Sequence, residues 1–215
     1  MDLKNIKKET IIIVILALII VGFAYNEWGG GMLASVKYKL SKQGEKDKLW
    51  IGDENAQIRI VEYYSYGCEY CKIFESEIKP LIVKNYISSG DVKWIYRPVD
   101  AGLGDAALCA NEQGKFLEYH DSLFRNAANI REEEDLKQLA VNVGMDAEEF
   151  WKCYSSGRYT TLVVGWYNDL TSDFRKYDIA EEQKGTPAFI IGNEMITGAQ
   201  PYNIFAGVIE KQLAR

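Results

Sequence analysis

The chain has 215 residues, of which 47% are hydrophobic, 26% charged and 13% aromatic, the composition of one globular domain or of one domain with an insertion. Its formal net charge is −6 and its pI lies near 5.0. An acidic balance argues against nucleic acid as the main partner, because phosphate binding wants a basic face.

The N-terminus reads as separate from the globule. Residues 11–24, IIIVILALIIVGFA, are uncharged and follow Lys4, Lys7 and Lys8. That run falls short of the about 20 residues a membrane span needs. Thr10 and the flank Tyr25-Asn26-Glu27-Trp28 extend it to the interface, where Tyr and Trp sit well. The reading is a transmembrane signal anchor over 10–28 behind a cytoplasmic tail, 1–9. The alternative is a cleaved signal peptide, with Gly22-Phe23-Ala24 as a small-x-small site. Lys37, Lys39 and Lys42 lie on the far side, so charge alone orients the segment weakly. Either reading sends the remaining chain across a membrane. Residues 29–50 then form a linker: a Gly29-Gly30-Gly31 joint and either a stalk helix with Met32, Leu33, Val36 and Leu40 on one stripe, or a solvated tether.

The globular domain is expected over 51–215. Residues 57–64, QIRIVEYY, are β-branched and aromatic and predict a strand. From about Glu69 the pattern turns helical, with Ile73, Phe74, Ile78, Leu81 and Ile82 at three- and four-residue spacings, closed by Ser88-Ser89-Gly90-Asp91. A second strand, 92–97, ends before Pro98, which makes a β-α-β unit with parallel strands. Residues 103–180 read almost entirely as helix: 105–126, about 131–143, a segment capped by Asp146 and Glu149 that runs through Tyr154, and about 158–176. Such a block inside an α/β pattern predicts an inserted helical subdomain. Residues 187–191, a Gly192-Asn193 turn and 194–197 predict a hairpin, and 201–213 a closing helix with Pro201 in its first turn.

The chemistry lies in "YSYGCEYCKIF", residues 64–74. Cys68 and Cys71 fall where the first strand hands over to the first helix. Cys68 stands at the helix start, where free N–H groups and the dipole favour a thiolate, the attacking species in disulfide exchange. Cys71 follows one turn later, close enough to close a disulfide and placed to resolve a mixed one. A zinc site would need four ligands. Cys109, Cys153 and the single histidine, His120, are the other candidates, and none forms a second paired motif. Two unrelated core cysteines would leave the strand–CxxC–helix context unexplained. An even count of four cysteines downstream of an export signal fits an oxidising compartment. His120, in "LEYHDSLF", reads as a packed or capping residue, and the run Glu132-Glu133-Glu134-Asp135 as an acidic first helical turn. Tyr63, Tyr64, Tyr66, Tyr70 and Phe74 are divided between core and an apolar rim in a way the pattern does not separate.

The segments "IVEYYSYGCEYCKIF" (60–74), "ALCANEQGKFLEYHDSLF" (107–124) and "GTPAFIIGNEMITGAQ" (185–200) resemble the DsbA-like thiol:disulfide oxidoreductases of the thioredoxin superfamily, nearest their membrane-anchored or secreted BdbD-like branch. The resemblance runs from about residue 51 to the end. It implies an α/β, thioredoxin-like fold with an inserted helical subdomain, preceded here by the N-terminal transmembrane helix. It also implies an enzyme that oxidises or shuffles disulfides in exported proteins. By that resemblance Cys68 is the nucleophile and Cys71 the resolving cysteine. Pro187 is a cis proline facing them; a trans proline opening a strand is the plain alternative. Thr186 contacts substrate backbone, with Glu69 and Tyr70 on the substrate side. Glu62, six residues before Cys68, is a buried acid that relays a proton to or from Cys71, unless it simply faces a sheet edge. Cys109 and Cys153 form a structural disulfide, the alternative being two buried thiols.

The dipeptide Glu69-Tyr70 departs from the Pro-His or Pro-Tyr of strongly oxidising members. An anion beside the thiolate costs roughly 1.4 kcal/mol at about 6 Å and an effective dielectric of about 40, so the pair is expected to be less oxidising, with Lys72 offsetting part of the effect. No organic cofactor or metal is implied, because the sulfurs carry the electrons. The implied partners are exported polypeptides with cysteines and a membrane redox partner, a quinone-linked oxidase or an electron importer. The implied state is a monomer held at the cell membrane by a single pass, with its catalytic domain on the periplasmic or extracellular side. Two other functions fit the same residues: an extracytoplasmic reductase or isomerase, and a non-catalytic envelope-anchored chaperone or binding module.

Overall fold

The computed structural model describes residues 49–215. The expected tail (1–9), anchor (10–28) and all of the 29–50 linker but its last two residues lie outside the described residues, and Trp50, expected in the linker, opens a strand. Among the described residues no helix is long and apolar enough to cross a membrane.

A five-stranded sheet organises the domain, in the order β1-β3-β2-β4-β5. The strands are β1 (Trp50–Gly52), β2 (Ile58–Tyr64), β3 (Val92–Pro98), β4 (Ala188–Ile191) and β5 (Glu194–Thr197). β2 and β3 pair in parallel, as the β-α-β pattern requires, and β1, β4 and β5 join antiparallel. β1 is absent from the sequence reading: three residues are too short to show alternation. Its end shows why a glycine stands there. Gly52 has φ +102°, and a Cβ at that position would meet the Val92 carbonyl oxygen at 2.4 Å.

The crossover between β2 and β3 starts with α1 (Glu69–Ile73) and includes α2 (Lys79–Ile82), with a wide π turn after each, Phe74–Ile78 and Val83–Ile87. It presses Phe74 onto Trp94 of β3, Phe189 of β4 and Phe205, with ring centroids 5.8, 4.4 and 5.2 Å away. Phe74, Trp94, Phe189 and Phe205 are fully buried. Burying a large apolar side chain is worth about 1.5–3 kcal/mol, so this four-ring contact is a main clamp of helix on sheet. Phe205 belongs to the closing helix α8 (Tyr202–Leu213), in which Pro201 is the N-cap residue rather than a first-turn residue.

Between β3 and β4 the chain forms the helical block. Its helices are α3 (Leu103–Glu112), α4 (Phe116–Asn126), α5 (Glu133–Asn142), α6 (Ala147–Ser155) and α7 (Thr160–Lys176). The single segment expected over 105–126 is two helices. Gly114, at φ +68°, ends the first by a left-handed turn that other residues rarely adopt. Asp146 caps α6 as expected, its carboxylate accepting from the Glu149 N–H at 2.8 Å. Asp135 closes the capping box of α5 with Glu132.

Cys109 of α3 and Cys153 of α6 are joined by a disulfide across 44 residues of sequence. On the chain-entropy model a loop of that length contributes about 4 kcal/mol. The Cys109→Ala/Cys153→Ala double variant should therefore lose about 4 kcal/mol in urea unfolding with Cys68 and Cys71 intact. A loss below about 1 kcal/mol would mean the unfolded chain is hardly constrained by the link.

Candidate active site

The register of the sheet builds the site. In the β2–β4 pair Glu62 faces Phe189 and Tyr63 faces Ala188. Continued by two residues, the same register sets Pro187 and Thr186 beside the turn that carries Cys68. The Thr186–Pro187 peptide is cis. Cys68 is the N-cap of α1, with extended backbone, and is partly exposed, whereas Cys71 is buried. Neither sulfur is in a disulfide. The Cys68 thiol donates to the Thr186 carbonyl oxygen at 3.1 Å. Burial pushes the Cys71 thiol far up.

The remaining expected site residues separate by exposure. Tyr70 is 66% exposed beside Cys68, and Glu69 is exposed too, so solvent screens its charge and weakens the effect expected on the pair. Tyr63, Tyr64, Tyr66 and Phe74 are buried, which leaves Tyr70 as the rim aromatic of that group.

Glu62 does not face an edge, because β2 is the central strand. It is wholly buried, with Oε2 accepting from Trp94 Nε1 at 2.8 Å and from Lys79 Nζ at 3.4 Å, while Oε1 has no hydrogen-bond partner among the described residues. Its carboxylate thus bonds Trp94 and Lys79 rather than a cysteine sulfur. Burial, which outweighs the attraction of Lys79, raises its pKa to about 7. Lys79 lies between two carboxylates, with Glu75 Oε1 at 2.6 Å, and their field holds it protonated despite its burial. Its Nζ also sits 4.0 Å from the centre of the Tyr96 ring. Glu75 Oε2 faces His120 Nε2 at 3.5 Å, and His120 Nδ1 meets the hydroxyls of Tyr66 and Tyr64 at 3.0 and 3.2 Å. Burial and the Lys79 charge lower the His120 pKa to about 3, so the ring is neutral.

Lys79, Glu75 and Asp100 were missed in the sequence. A signal for the first two exists: they recur at four-residue intervals from Cys71, on the same helix face. Asp100, in the loop after β3, accepts from the Tyr66 N–H at 2.8 Å and from the Ser65 hydroxyl at 3.1 Å, and burial raises its pKa to about 6. Among the described residues no group of three or more His, Cys, Asp or Glu side chains is placed to hold a metal ion.

A thioredoxin-like sheet thus carries an inserted helical block and a CxxC pair set against a cis proline. The chain belongs to the thioredoxin family, whose model matches residues 44–211. It is 27% identical over 175 residues to Bacillus subtilis disulfide bond formation protein D, covering 76% of each chain. It is 23% identical over 185 residues to a Rickettsia bellii protein that bears the name protein-disulfide oxidoreductase, covering 82% of this chain and 68% of that one. Across three rickettsial proteins of that name it spans 59 to 68% of their length. The crystal structure of oxidised BdbD from Bacillus subtilis superposes with a TM-score of 0.63 at 24% identity, covering 83% of this chain and all of that one, a likeness of fold.

The Glu62 carboxyl gives a signed test. Its pKa near 7 in the folded state lies above its ordinary value of 4.5. Between those pH values the folded state holds more protons than the unfolded one, so this site loses stability as pH rises. Glu62→Gln lacks that loss. The unfolding free energy of the variant relative to wild type should climb by roughly 3 kcal/mol from pH 4.5 to pH 7. A flat difference in urea titrations would show that the carboxyl titrates as in the unfolded chain.

Proposed function

We propose that this chain exchanges disulfides with cysteine-containing exported polypeptides, held at the membrane by its N-terminal segment. The observation that carries this reading is the partly exposed Cys68 sulfur, set on the Thr186 carbonyl with Cys71 buried one turn behind it. In the oxidised enzyme a substrate thiolate attacks Cys68. The Cys68–Cys71 bond breaks, a substrate–Cys68 disulfide forms, and Cys71 leaves as a thiolate that takes up a proton. A second substrate thiolate then attacks the substrate sulfur of that bond. The substrate leaves with a disulfide and the enzyme with two thiols. Run backwards, Cys68 attacks and Cys71 resolves.

The Cys68 thiol donates to the Thr186 carbonyl, a bond that only the reduced pair can make, and it favours the dithiol. A stabilised reduced form makes a pair oxidising, which supports disulfide donation over reduction as the main direction. Glu62, with a pKa near neutrality, suits the role of taking and returning the Cys71 proton through an intervening water. Thr186, Glu69 and Tyr70 meet the substrate chain. A membrane oxidase linked to quinone, as the electron acceptor, returns the pair to the disulfide. The uncharged run 11–24, with lysines before it and interfacial aromatics after it, supports a single-pass anchor and a catalytic domain on the extracytoplasmic side.

The test is trapping. Full-length Cys71→Ser, co-expressed with an exported cysteine-containing protein, should accumulate mixed disulfides through Cys68 on non-reducing gels. The Cys68→Ser/Cys71→Ser double variant should accumulate none. Equal absence from both would identify a binding or chaperone module instead.

A further inference from the structure

His120 stands on α4 of the helical block, yet its ring is buried against the sheet and the crossover, and disulfide exchange by the cysteine pair gives it no task. The rings of Tyr64, Tyr66, Tyr96, Phe116 and Phe124 close around it, with centroids 4.9 to 5.4 Å away. Its two nitrogens meet different chemistry. Nδ1 lies 3.0 Å from the Tyr66 hydroxyl and 3.2 Å from that of Tyr64, and the two hydroxyls are 3.1 Å apart. Nε2 faces Glu75 Oε2 at 3.5 Å, a long contact, and makes no hydrogen bond among the described residues. Proton accounting decides the tautomer. The hydroxyl pair has two protons: one passes between the hydroxyls, and the other needs Nδ1 as its acceptor. A proton on Nδ1 would leave one buried hydroxyl proton without an acceptor in this group. The neutral ring therefore carries its proton on Nε2, aimed at a carboxylate. The other tautomer would set a lone pair against that charge.

That carboxylate decides how the Lys79 charge is divided. Glu75 Oε1 lies 2.6 Å from Lys79 Nζ, and Glu62 Oε2 lies 3.4 Å from it. Glu75 is at the edge of the cluster, its side chain 13% exposed, whereas Glu62 and His120 are closed off from water. Inside an apolar cage an N–H at this range still orients a carboxylate, because charges there are little screened. We propose that His120 is a positioning residue for the Glu62 carboxyl: its Nε2–H keeps Glu75 turned inward on Lys79, so that two carboxylates share the Lys79 charge. Glu62, spared the full charge, keeps its affinity for a proton. This deepens the proposed oxidoreductase function and rests on its use of Glu62 as a proton acceptor. In the step affected, Cys71 gives up its thiol proton, which Glu62 accepts, and forms a bond to Cys68. The bond from Cys68 to the other sulfur breaks, and that sulfur leaves as a thiolate that takes a proton. The cysteine pair is oxidised and the incoming disulfide reduced. The other titratable groups around the cluster are Tyr64, Tyr66 and Tyr96, all held neutral by burial, and Asp121 and Arg125 on α4.

The first test needs no variant. His120 is the chain's single histidine, so untagged full-length protein labelled with 15N-histidine presents one ring to NMR. Nε2 should carry the proton, and Nδ1 none, from about pH 5 to about pH 8. A proton on Nδ1 would overturn the assignment. The second test is an infrared titration of the Glu62 carboxyl, whose protonated band is identified by its loss in Glu62→Gln. His120→Asn, which puts no donor at the Nε2 position, should lower the midpoint by about one pH unit, the scale of one nearby charge released. His120→Gln, whose amide reaches that position, should stay within about 0.3 pH units of wild type. Glu75→Gln should itself lower the midpoint, and His120→Asn should add nothing in that background. An unshifted His120→Asn, equal shifts in the Asn and Gln variants, or shifts that add to that of Glu75→Gln would remove His120 from this role. The third test follows resolution of the Cys68–glutathione disulfide against pH, by acid quench and mass spectrometry after mixing reduced enzyme with glutathione disulfide. Its profile should move with the infrared band. A shifted band with an unshifted profile would overturn Glu62 as the proton acceptor and this inference with it. Wild-type enzyme that forms neither the mixed disulfide nor the Cys68–Cys71 bond would overturn the proposed function itself.

Discussion

The hydrogen bond from the Cys68 thiol to the Thr186 carbonyl joins groups 118 residues apart in sequence. Its length is set by the pairing of β2 with β4, because the register that aligns Tyr63 with Ala188 also delivers the cis peptide beside the first turn of α1. A slip of one residue would turn Phe189 away from Phe74 and Phe205 as well as moving Thr186. Packing of the aromatic core and alignment of the redox pair are therefore one constraint. The helical block between β3 and β4 can vary in length without disturbing it, since both flanking strands are held by their neighbours in the sheet.

A central strand with an ionisable residue is costly. Glu62 is tolerated because Trp94 and Lys79 meet its Oε2, and Lys79 is tolerated because Glu75 shares it. The wide turn Phe74–Ile78 carries Glu75 and ends just before Lys79, and the two side chains meet on the inner side of the crossover. From there the polar chain continues through His120 to Tyr64 and Tyr66, and Tyr66 shares Asp100 with Ser65. The lower side of the redox pair is thus a connected set of polar groups under an otherwise apolar layer. Three buried atoms in it, Glu62 Oε1, Asp100 Oδ1 and His120 Nε2, lack hydrogen-bond partners among the described residues. That incomplete satisfaction is a common mark of sites arranged for chemistry rather than for stability alone.

Much of this was legible in the residues, and the exceptions have physical reasons. Period-two and period-3.6 patterns gave the β-α-β unit, the hairpin and most helices. β1 was too short for a period, and the break at Gly114 was hidden by the continuous apolar pattern across it. The cysteine pair and the Gly-Thr-Pro segment stood out locally, and the family resemblance supplied their juxtaposition. The polar groups beneath them did not stand out. Lys79 and Glu75 sit in a helical stripe where a charged residue ordinarily marks the solvent face, and burial of His120 depends on the packing of the inserted block against β2 and β3. Asp100 meets the turn before Cys68 through the Ser65 hydroxyl and the Tyr66 N–H, contacts that leave no trace in composition or periodicity. The anchor expected over residues 10–28 lies outside the described residues.

The most direct measurement is the equilibrium reduction potential of the Cys68–Cys71 pair in the full-length protein, titrated against glutathione buffers. The hydrogen bond that the Cys68 thiol donates to the Thr186 carbonyl should hold it above the thioredoxin value of about −270 mV, and the solvent-screened Glu69 anion should keep it somewhat below the strongest oxidants near about −120 mV. A reversible two-electron couple between those limits is the expected result. A couple at or below about −270 mV, or a pair that does not equilibrate with glutathione, would contradict a stabilised dithiol and with it the case for disulfide donation.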